Sequence, residues 1–125
     1  LWKVIMTSEI ENTENDHALD CEHELLSFEA STDRVIERAA ALLRAAGDPE
    51  RLRLLERLGH AEACVGELSE ELGWGMPTIS QRLKVLHQEE LISRRRDGKH
   101  IYYSLNDDHV RNLLQNVLEH VSERR

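Results

Sequence analysis

Two runs of β-prone residues separated by Asp97-Gly98 follow directly on two short helical segments, and this order constrains the fold more than any other feature. The runs span residues 91–96 and 99–105, and Asp-Gly between such runs predicts a two-residue hairpin turn with a positive φ at both positions. The helices before them are predicted at residues 64–72 and from Pro77 onwards, with glycines in the turn between them. A helix-turn-helix followed by a hairpin predicts a winged helix-turn-helix.

Three further helices complete a mainly α (α+β) architecture. The first is predicted over residues 34–46, and the second begins at Asp48, a suitable N-cap. The last is predicted from about residue 107 to 124 with Asn106 as its cap, and its apolar residues form one continuous stripe. Such a stripe either covers its own domain or packs against the same helix of a second chain. Because most soluble oligomers are twofold symmetric, we expect the N- and C-terminal helices to form a homodimer interface.

The formal net charge of −8 lies in the first 33 residues, which hold nine acidic side chains and one lysine. Residues 1–20 also lack apolar periodicity, so we expect residues 1–32 to form an acidic flexible arm and residues 33–125 to form the folded domain. Residues 34–125 are neutral overall, yet residues 82–100 hold six basic and three acidic side chains. A local basic segment permits a nucleic-acid partner although the total charge is negative.

The predicted recognition helix and hairpin carry the side chains expected to contact double-stranded DNA. Gln and Arg can bond to base edges, Ser and Thr to bases or phosphates, and basic residues near a hairpin tip to the phosphate backbone. The alternative is a charged face that contacts only solvent, but a basic run directly after a helix-turn-helix favours DNA. The candidate residues are Thr78, Ser80, Gln81, Arg82, Lys84, Arg94, Arg95, Arg96, Lys99 and His100.

Two pairs of candidate metal ligands lie at the ends of the last predicted helix. Asp107 and His109 are at its start, and His120 and Glu123 are near its end. The two histidines share a helical face but are separated by about 16 Å along the axis, so one chain cannot place both on one ion. An antiparallel second copy of the helix would bring His120 beside His109 of its partner. The four donors would form a closed tetrahedral site suited to Zn²⁺. The alternative is that they are exposed polar residues, which the helix dipole favours at helix ends.

A second candidate metal site uses the two cysteines. Cys64 and Glu67 are three residues apart on one helical face, and Cys21 and His23 lie on the arm, which could fold over them. A mixed sulfur, nitrogen and oxygen site suits Zn²⁺ or a softer ion such as Cd²⁺. The alternatives are a small buried hydrophobic residue for Cys64 and an unstructured tail for the other two.

Several function classes are disfavoured by features that the sequence lacks. Two cysteines are too few for a secreted disulfide framework, no stretch approaches the roughly 20 apolar residues of a membrane span, and no signal peptide is recognisable. We therefore expect a cytoplasmic protein without a membrane partner. The sequence also contains no Ser-His-Asp grouping, His-Glu-x-x-His motif or Gly-rich phosphate loop, so we do not expect an enzyme.

Over residues 33–125 the chain resembles the ArsR/SmtB family of metal-responsive transcriptional repressors. The resemblance rests on five segments that are highly specific together: GDPERLRLLERL, ACVGELSEELG, PTISQRLKVL, RRRDGKHIYYSL and DDHVRNLLQNVLEHVSER. It implies a homodimer whose metal-free form binds operator DNA and leaves it when metal binds. The zinc-sensing branch carries Asp-x-His…His-x-x-Glu in its terminal helix, a pattern that is matched at every position by Asp107, His109, His120 and Glu123.

The family's second site pairs N-terminal Cys and His residues with a Cys-Val-x-Asp/Cys motif. The segment Cys64-Val65-Gly66-Glu67 keeps the first thiol but has Glu for the acid and no second thiol, which disfavours a lead, cadmium or arsenic sensor. The resemblance therefore implies a zinc-responsive repressor. The alternatives are a response to Cd²⁺, Co²⁺ or Pb²⁺ through the arm site, or to a non-metal signal.

Overall fold

The computed structural model describes residues 29–123, and it confirms the predicted winged helix-turn-helix. The chain divides within its first helix into two units, one ending at Glu37 and one beginning at Arg38. In chain order the elements are α1 (Asp33–Ala46), α2 (Pro49–His60), β1 (Ala63–Cys64), α3 (Val65–Leu72), α4 (Met76–Gln88), β2 (Ile92–Asp97), β3 (His100–Leu105) and α5 (Asp108–Glu123).

The junction between α1 and α2 is set by Asp48, as the sequence predicts. Its carboxylate accepts hydrogen bonds from the backbone N–H groups of Glu50 at 3.2 Å and Arg51 at 3.0 Å. These bonds satisfy two donors that every helix leaves unpaired at its N-terminus. The Arg51 side chain also donates from Nε to the carbonyl oxygen of Ala45 at 2.7 Å. The end of α1 and the start of α2 are therefore tied together.

Helices α3 and α4 form the predicted helix-turn-helix. Gly73 ends α3 in the left-handed conformation with φ of 74°, and its N–H donates to the carbonyl oxygen of Ser69 at 2.9 Å. The Ser69 hydroxyl donates to the carbonyl oxygen of Trp74 at 2.6 Å, which fixes the turn to α3. Pro77 lies in the first turn of α4, where its missing N–H has no cost.

The three strands form one antiparallel sheet in the order β1-β3-β2. Strand β1 is absent from the sequence prediction, since two residues carry no recognisable periodicity. Cys64, predicted to begin a helix, instead pairs with Tyr102 of β3, and α3 begins one residue later at Val65. The sheet therefore joins the wing, formed by β2 and β3, to the segment that precedes the helix-turn-helix.

The hairpin turn lies one residue further along the chain than predicted. Asp97 pairs with His100, so the two turn residues are Gly98 and Lys99. Gly98 has φ of 65°, while neither Asp97 nor Lys99 has a positive φ. Glycine at the first turn position with a single positive φ is the type II′ arrangement, whereas a turn centred on Asp-Gly needs two. Lys99 therefore lies at the tip of the wing and not in a strand.

Helix α5 begins at Asp108, and its N-cap is Asp107, which corrects the prediction of Asn106. The Asp107 Oδ1 accepts a hydrogen bond from the backbone N–H of Val110 at 3.0 Å. Asn106 instead accepts a hydrogen bond from the Ser93 hydroxyl at 2.7 Å, so the Asn106 side chain is bound to strand β2 of the wing.

The core beneath the helix-turn-helix consists of aliphatic side chains. Helix α4 packs against α2, α3 and β2, with its opposite face left to solvent. No helix of the described region is long and apolar enough to cross a membrane. The largest fully buried side chains are Leu54, Leu55, Leu58, Leu68, Ile79, Leu83, Leu86, Leu91 and Ile92.

Candidate DNA-binding surface and metal ligands

The recognition helix α4 presents the predicted polar side chains to solvent. Ile79, Leu83 and Leu86 anchor its other face in the core, as the apolar spacing predicts. Because these anchors recur at three- and four-residue steps, they lie on one buried face of the helix, and the opposite face is turned to solvent. Thr78, Ser80, Gln81 and Lys84 are all exposed.

Arg82 differs from the other candidate DNA contacts on α4, because it is half-buried and already paired. Its Nη2 lies 2.5 Å from Oε1 of Glu50, in the first turn of α2. Its guanidinium carbon lies 4.7 Å from the ring centroid of Trp74, a cation–π geometry. The side chain is therefore held by two elements of its own domain.

The wing carries the second group of predicted DNA contacts. Arg94, Arg96 and His100 lie on its strands and Lys99 at its tip, and all four are exposed. Within residues 29–123 none of Arg94, Arg96 and Lys99 has an ion-pair partner. These three side chains therefore place uncompensated positive charge on the wing.

Arg95 is the exception on the wing. It forms a two-point ion pair with Glu62, with Nε 3.0 Å from Oε2, and its guanidinium carbon lies 5.0 Å from the Tyr102 ring centroid. The hydrogen bonds from Arg95 hold the pKa of Glu62 below its ordinary value of 4.5, and they raise the pKa of Arg95. Both groups remain charged at neutral pH, so Glu62 partly cancels the positive charge of Arg95.

A groove separates α4 from the wing. Ser80, Lys84 and His87 line it from the helix, and Arg94 and Tyr103 line it from the strands. Two of these side chains are basic, and the ion pairs of the described residues involve neither of them. The exposed face of α4, the groove and the basic wing therefore form one continuous surface.

The first pair of predicted metal ligands, Asp107 and His109, lies together at the start of α5. The His109 Nδ1 is 3.9 Å from Oδ2 of Asp107, and the His109 side chain is 99% exposed. The hydrogen bond from the Val110 N–H, together with the nearby imidazole, lowers the pKa of Asp107. An ionised carboxylate and an unobstructed imidazole are suitable donors for Zn²⁺.

The second pair, His120 and Glu123, lies exposed in the last turn of α5. Across the described residues, no single-chain group of three or more His, Cys, Asp or Glu side chains is placed to hold a metal ion. This separation is expected from the sequence, because the rise of a helix keeps its two ends apart. The predicted set of four ligands would therefore need a second copy of the chain to supply two of them.

Only two of the four residues predicted for the second metal site, Cys64 and Glu67, lie within the described residues. Cys21 and His23 lie outside the described residues. Cys64 is half-buried, and its backbone N–H donates to Oε1 of Glu67 at 3.0 Å. Glu67 therefore acts as the reciprocal partner in the capping of α3.

Apolar side chains on both terminal helices remain exposed in the single chain. On α5, Val117 is 44% exposed and Val121 is 61% exposed, whereas Val110 and Leu114 of the same stripe are buried. On α1, Val35, Ile36 and Leu43 are more than half exposed. The first half of the α5 stripe thus covers its own domain, whereas Val117 and Val121 in the second half are left exposed.

The fold and this surface define a winged helix-turn-helix transcriptional regulator. Residues 48–94 match the family model described as "Bacterial regulatory protein, arsR family". The chain is 37% identical over 87 residues to a transcriptional repressor SmtB homolog of Synechocystis, covering 70% of this chain and 66% of that protein. It is 30% identical over 110 residues to the transcriptional repressor SmtB of Mycobacterium tuberculosis, covering 87% of this chain and 82% of that protein. The chain belongs to the ArsR family of bacterial regulatory proteins.

Solved structures support the same assignment. A homodimeric winged helix-turn-helix DNA-binding domain from Mycobacterium bovis superimposes with a TM-score of 0.70 and 25% identity, covering 78% of this chain and 93% of that chain. NolR from Sinorhizobium fredii superimposes with a TM-score of 0.63 and 34% identity, covering 74% of this chain and 95% of that one. Because a nodulation protein is also among the sequence relatives, the family establishes a regulator without establishing its signal.

Four side chains that the sequence argument does not single out shape this surface: Glu50, Glu62, Trp74 and Tyr102. Glu50 lies 32 residues before Arg82, and Glu62 lies 33 residues before Arg95. No local periodicity relates residues so far apart, so only the tertiary fold reveals these pairs.

Proposed function

We propose that this protein is a metal-responsive repressor, a homodimer whose metal-free form occupies operator DNA and whose zinc-bound form leaves it. The observation that carries the proposal is the arrangement of α5. An exposed ligand pair lies at each end of the helix, and the uncovered valines Val117 and Val121 lie in its second half. A second copy of α5, packed antiparallel on these valines, buries apolar surface and completes both ligand sets.

The donor chemistry fits zinc. Two imidazoles and two carboxylates suit a closed tetrahedral site, and all four side chains are exposed and accessible to a partner chain. When bound, the ion supplies a cross-link between the subunits. Asp107 and His109 of one chain, with His120 and Glu123 of the other, then hold the two α5 helices in one orientation. The two recognition helices no longer match half-sites one helical turn apart.

The DNA contacts follow from exposure and charge. Thr78, Ser80 and Gln81 are proposed to contact base edges and nearby phosphates from α4. Phosphate contacts are assigned to exposed basic side chains without an ion-pair partner among the described residues. These basic side chains are Lys84, Arg94, Arg96 and Lys99. His100 on the wing is also assigned a phosphate contact.

The test compares operator affinity with and without Zn²⁺. The operator is obtained by selecting duplexes from a random pool with zinc-free protein. Coupling between two ligands is commonly about 1–3 kcal/mol, so native protein is expected to lose roughly tenfold or more in affinity with zinc. His120→Ala is expected to lose this response, whereas His60→Ala keeps it, because His60 is exposed at the end of α2 and outside both candidate sites.

Two outcomes would contradict the proposal. If native protein binds its operator equally well with and without zinc, the protein does not respond to this metal. If His120→Ala responds as strongly as native protein, the sensor lies elsewhere, and the residues Cys21, His23, Cys64 and Glu67 become the next candidates.

A further inference from the structure

The middle of the recognition helix carries two basic residues, Arg82 and Lys84, whose side chains have different surroundings. The Arg82 side chain is 22% exposed and lies between Glu50 and the Trp74 ring. Lys84 is exposed, and no described residue forms an ion pair with it. The two residues carry the same charge but occupy different surroundings.

The helical geometry explains the difference. Two residues along an α-helix correspond to about 200°, so Arg82 lies about 160° around the axis from both Ser80 and Lys84. It lies only about 60° from Ile79, which is fully buried. Arg82 therefore projects from the edge of α4 that faces α2 and the turn, an edge it shares with Thr78 one turn earlier, and not from the face that carries Ser80 and Lys84.

The partners of Arg82 are parts of the helix-turn-helix frame. Trp74 lies in the turn, where its carbonyl oxygen is fixed by the Ser69 hydroxyl of α3. Glu50 lies in the first turn of α2. A planar guanidinium can stack on a ring and pair with a carboxylate at the same time, which the point charge of a lysine does not reproduce. Arg82 thus links α4 to α2 and to the turn.

We propose that Arg82 is a positioning residue for operator recognition: it fixes the orientation of α4 against α2 and the turn, and it does not contact DNA. This replaces the DNA contact expected for Arg82 from the sequence. The inference rests on the proposed DNA-binding surface of α4. It does not depend on metal binding, so all measurements use zinc-free protein in a chelator.

The experiment measures dissociation constants at several NaCl concentrations for the selected operator and for an unrelated duplex of equal length. The variants are Arg82→Lys, Arg82→Met and the matched control Lys84→Met. Loss of a phosphate contact lowers the slope of log affinity against log salt by about 0.9. Lys84→Met is expected to show this change on both duplexes. Both Arg82 variants are expected to keep the native slope while their preference for operator over unrelated DNA falls roughly tenfold, the effect of misaligning a base contact.

A second arm removes the partner instead of the arginine. Glu50→Gln is expected to lower the preference for operator in the same direction, because it weakens the link that orients α4. If Glu50 instead withheld Arg82 from DNA, Glu50→Gln would raise the affinity for both duplexes and steepen the salt slope, which contradicts the proposal.

Three further results would overturn the proposal. A native preference in Arg82→Lys combined with a lower slope in Arg82→Met would make Arg82 a phosphate contact. A lower melting temperature with an unchanged preference in both Arg82 variants would make its role one of stability alone. An unchanged salt slope in Lys84→Met together with an unchanged preference for operator in Gln81→Ala would remove α4 from the DNA surface, and the Arg82 assignment with it.

Discussion

Replacing Val121 by Ser tests whether the uncovered half of the α5 stripe is the dimer seam. Val121 is 61% exposed in the single chain. Burial of a whole valine side chain contributes about 1.5 kcal/mol, so covering this fraction contributes about 0.9 kcal/mol per chain and about 2 kcal/mol per symmetric dimer. Serine and valine have similar helix propensities, so the folded monomer is little affected. We expect the dimer dissociation constant to rise about thirtyfold.

Sedimentation equilibrium on zinc-free protein measures this constant directly. Met76→Ser is the matched control, since Met76 is 51% exposed but lies at the start of the recognition helix. We expect the control to dimerise like the native protein. An unchanged constant for Val121→Ser, or an equal loss for Met76→Ser, would show that the second half of α5 is not the seam.

Three other predictions concern the wing, the ion pairs and the core. Glu62→Gln removes the nearer of two counter-charges of Arg95, the other being Asp97 at 3.9 Å. We expect tighter binding to any duplex and a steeper salt slope, and an unchanged slope would show that Arg95 does not face DNA. Hydrogen bonds from Arg57 lower the pKa of Glu71, so this pair stabilises the fold above the ordinary carboxyl pKa of 4.5 and loses its effect as pH falls through the lowered value. The melting-temperature difference between native protein and Glu71→Gln should accordingly shrink below pH 4.5, and a constant difference would contradict this linkage. Leu83→Ala empties a fully buried position beneath α4 and should lower the free energy of unfolding by about 2–5 kcal/mol, measured by urea titration.

Local sequence signals located the helices and the wing, but not the two-residue strand β1. Asp48, Gly73 and Pro77 act through bonds or backbone angles within a few residues, so their effects are visible in sequence, and the structure places each as predicted. Errors occur where two neighbouring residues compete for one role. Asp107 and not Asn106 caps α5, and the hairpin turn is shifted by one residue onto Lys99.

The candidate DNA-binding surface likewise has a part that the sequence predicts and a part that only the tertiary fold reveals. Which side chains of α4 are exposed follows from the spacing of Ile79, Leu83 and Leu86. Which basic side chains are paired with an acid does not follow from the sequence, because Glu50 and Glu62 pair with arginines more than 30 residues away. The proposed metal ligands pose a different problem, because no three candidate ligands lie together among the described residues and the proposed site needs a second copy of the chain.

The proposed sharing of ligands between two chains is tested most directly by measuring zinc binding to a mixture of two defective variants. His109→Ala and His120→Ala each remove one ligand from both sites of a homodimer, so neither variant alone is expected to bind zinc tightly. In a heterodimer of the two, one site keeps His109 from one chain and His120 from the other. Chain exchange should therefore restore about one tight zinc site per two dimers, since about half of the dimers are mixed. If mixing restores no zinc binding, the two chains do not share their ligands and the proposed switch is wrong.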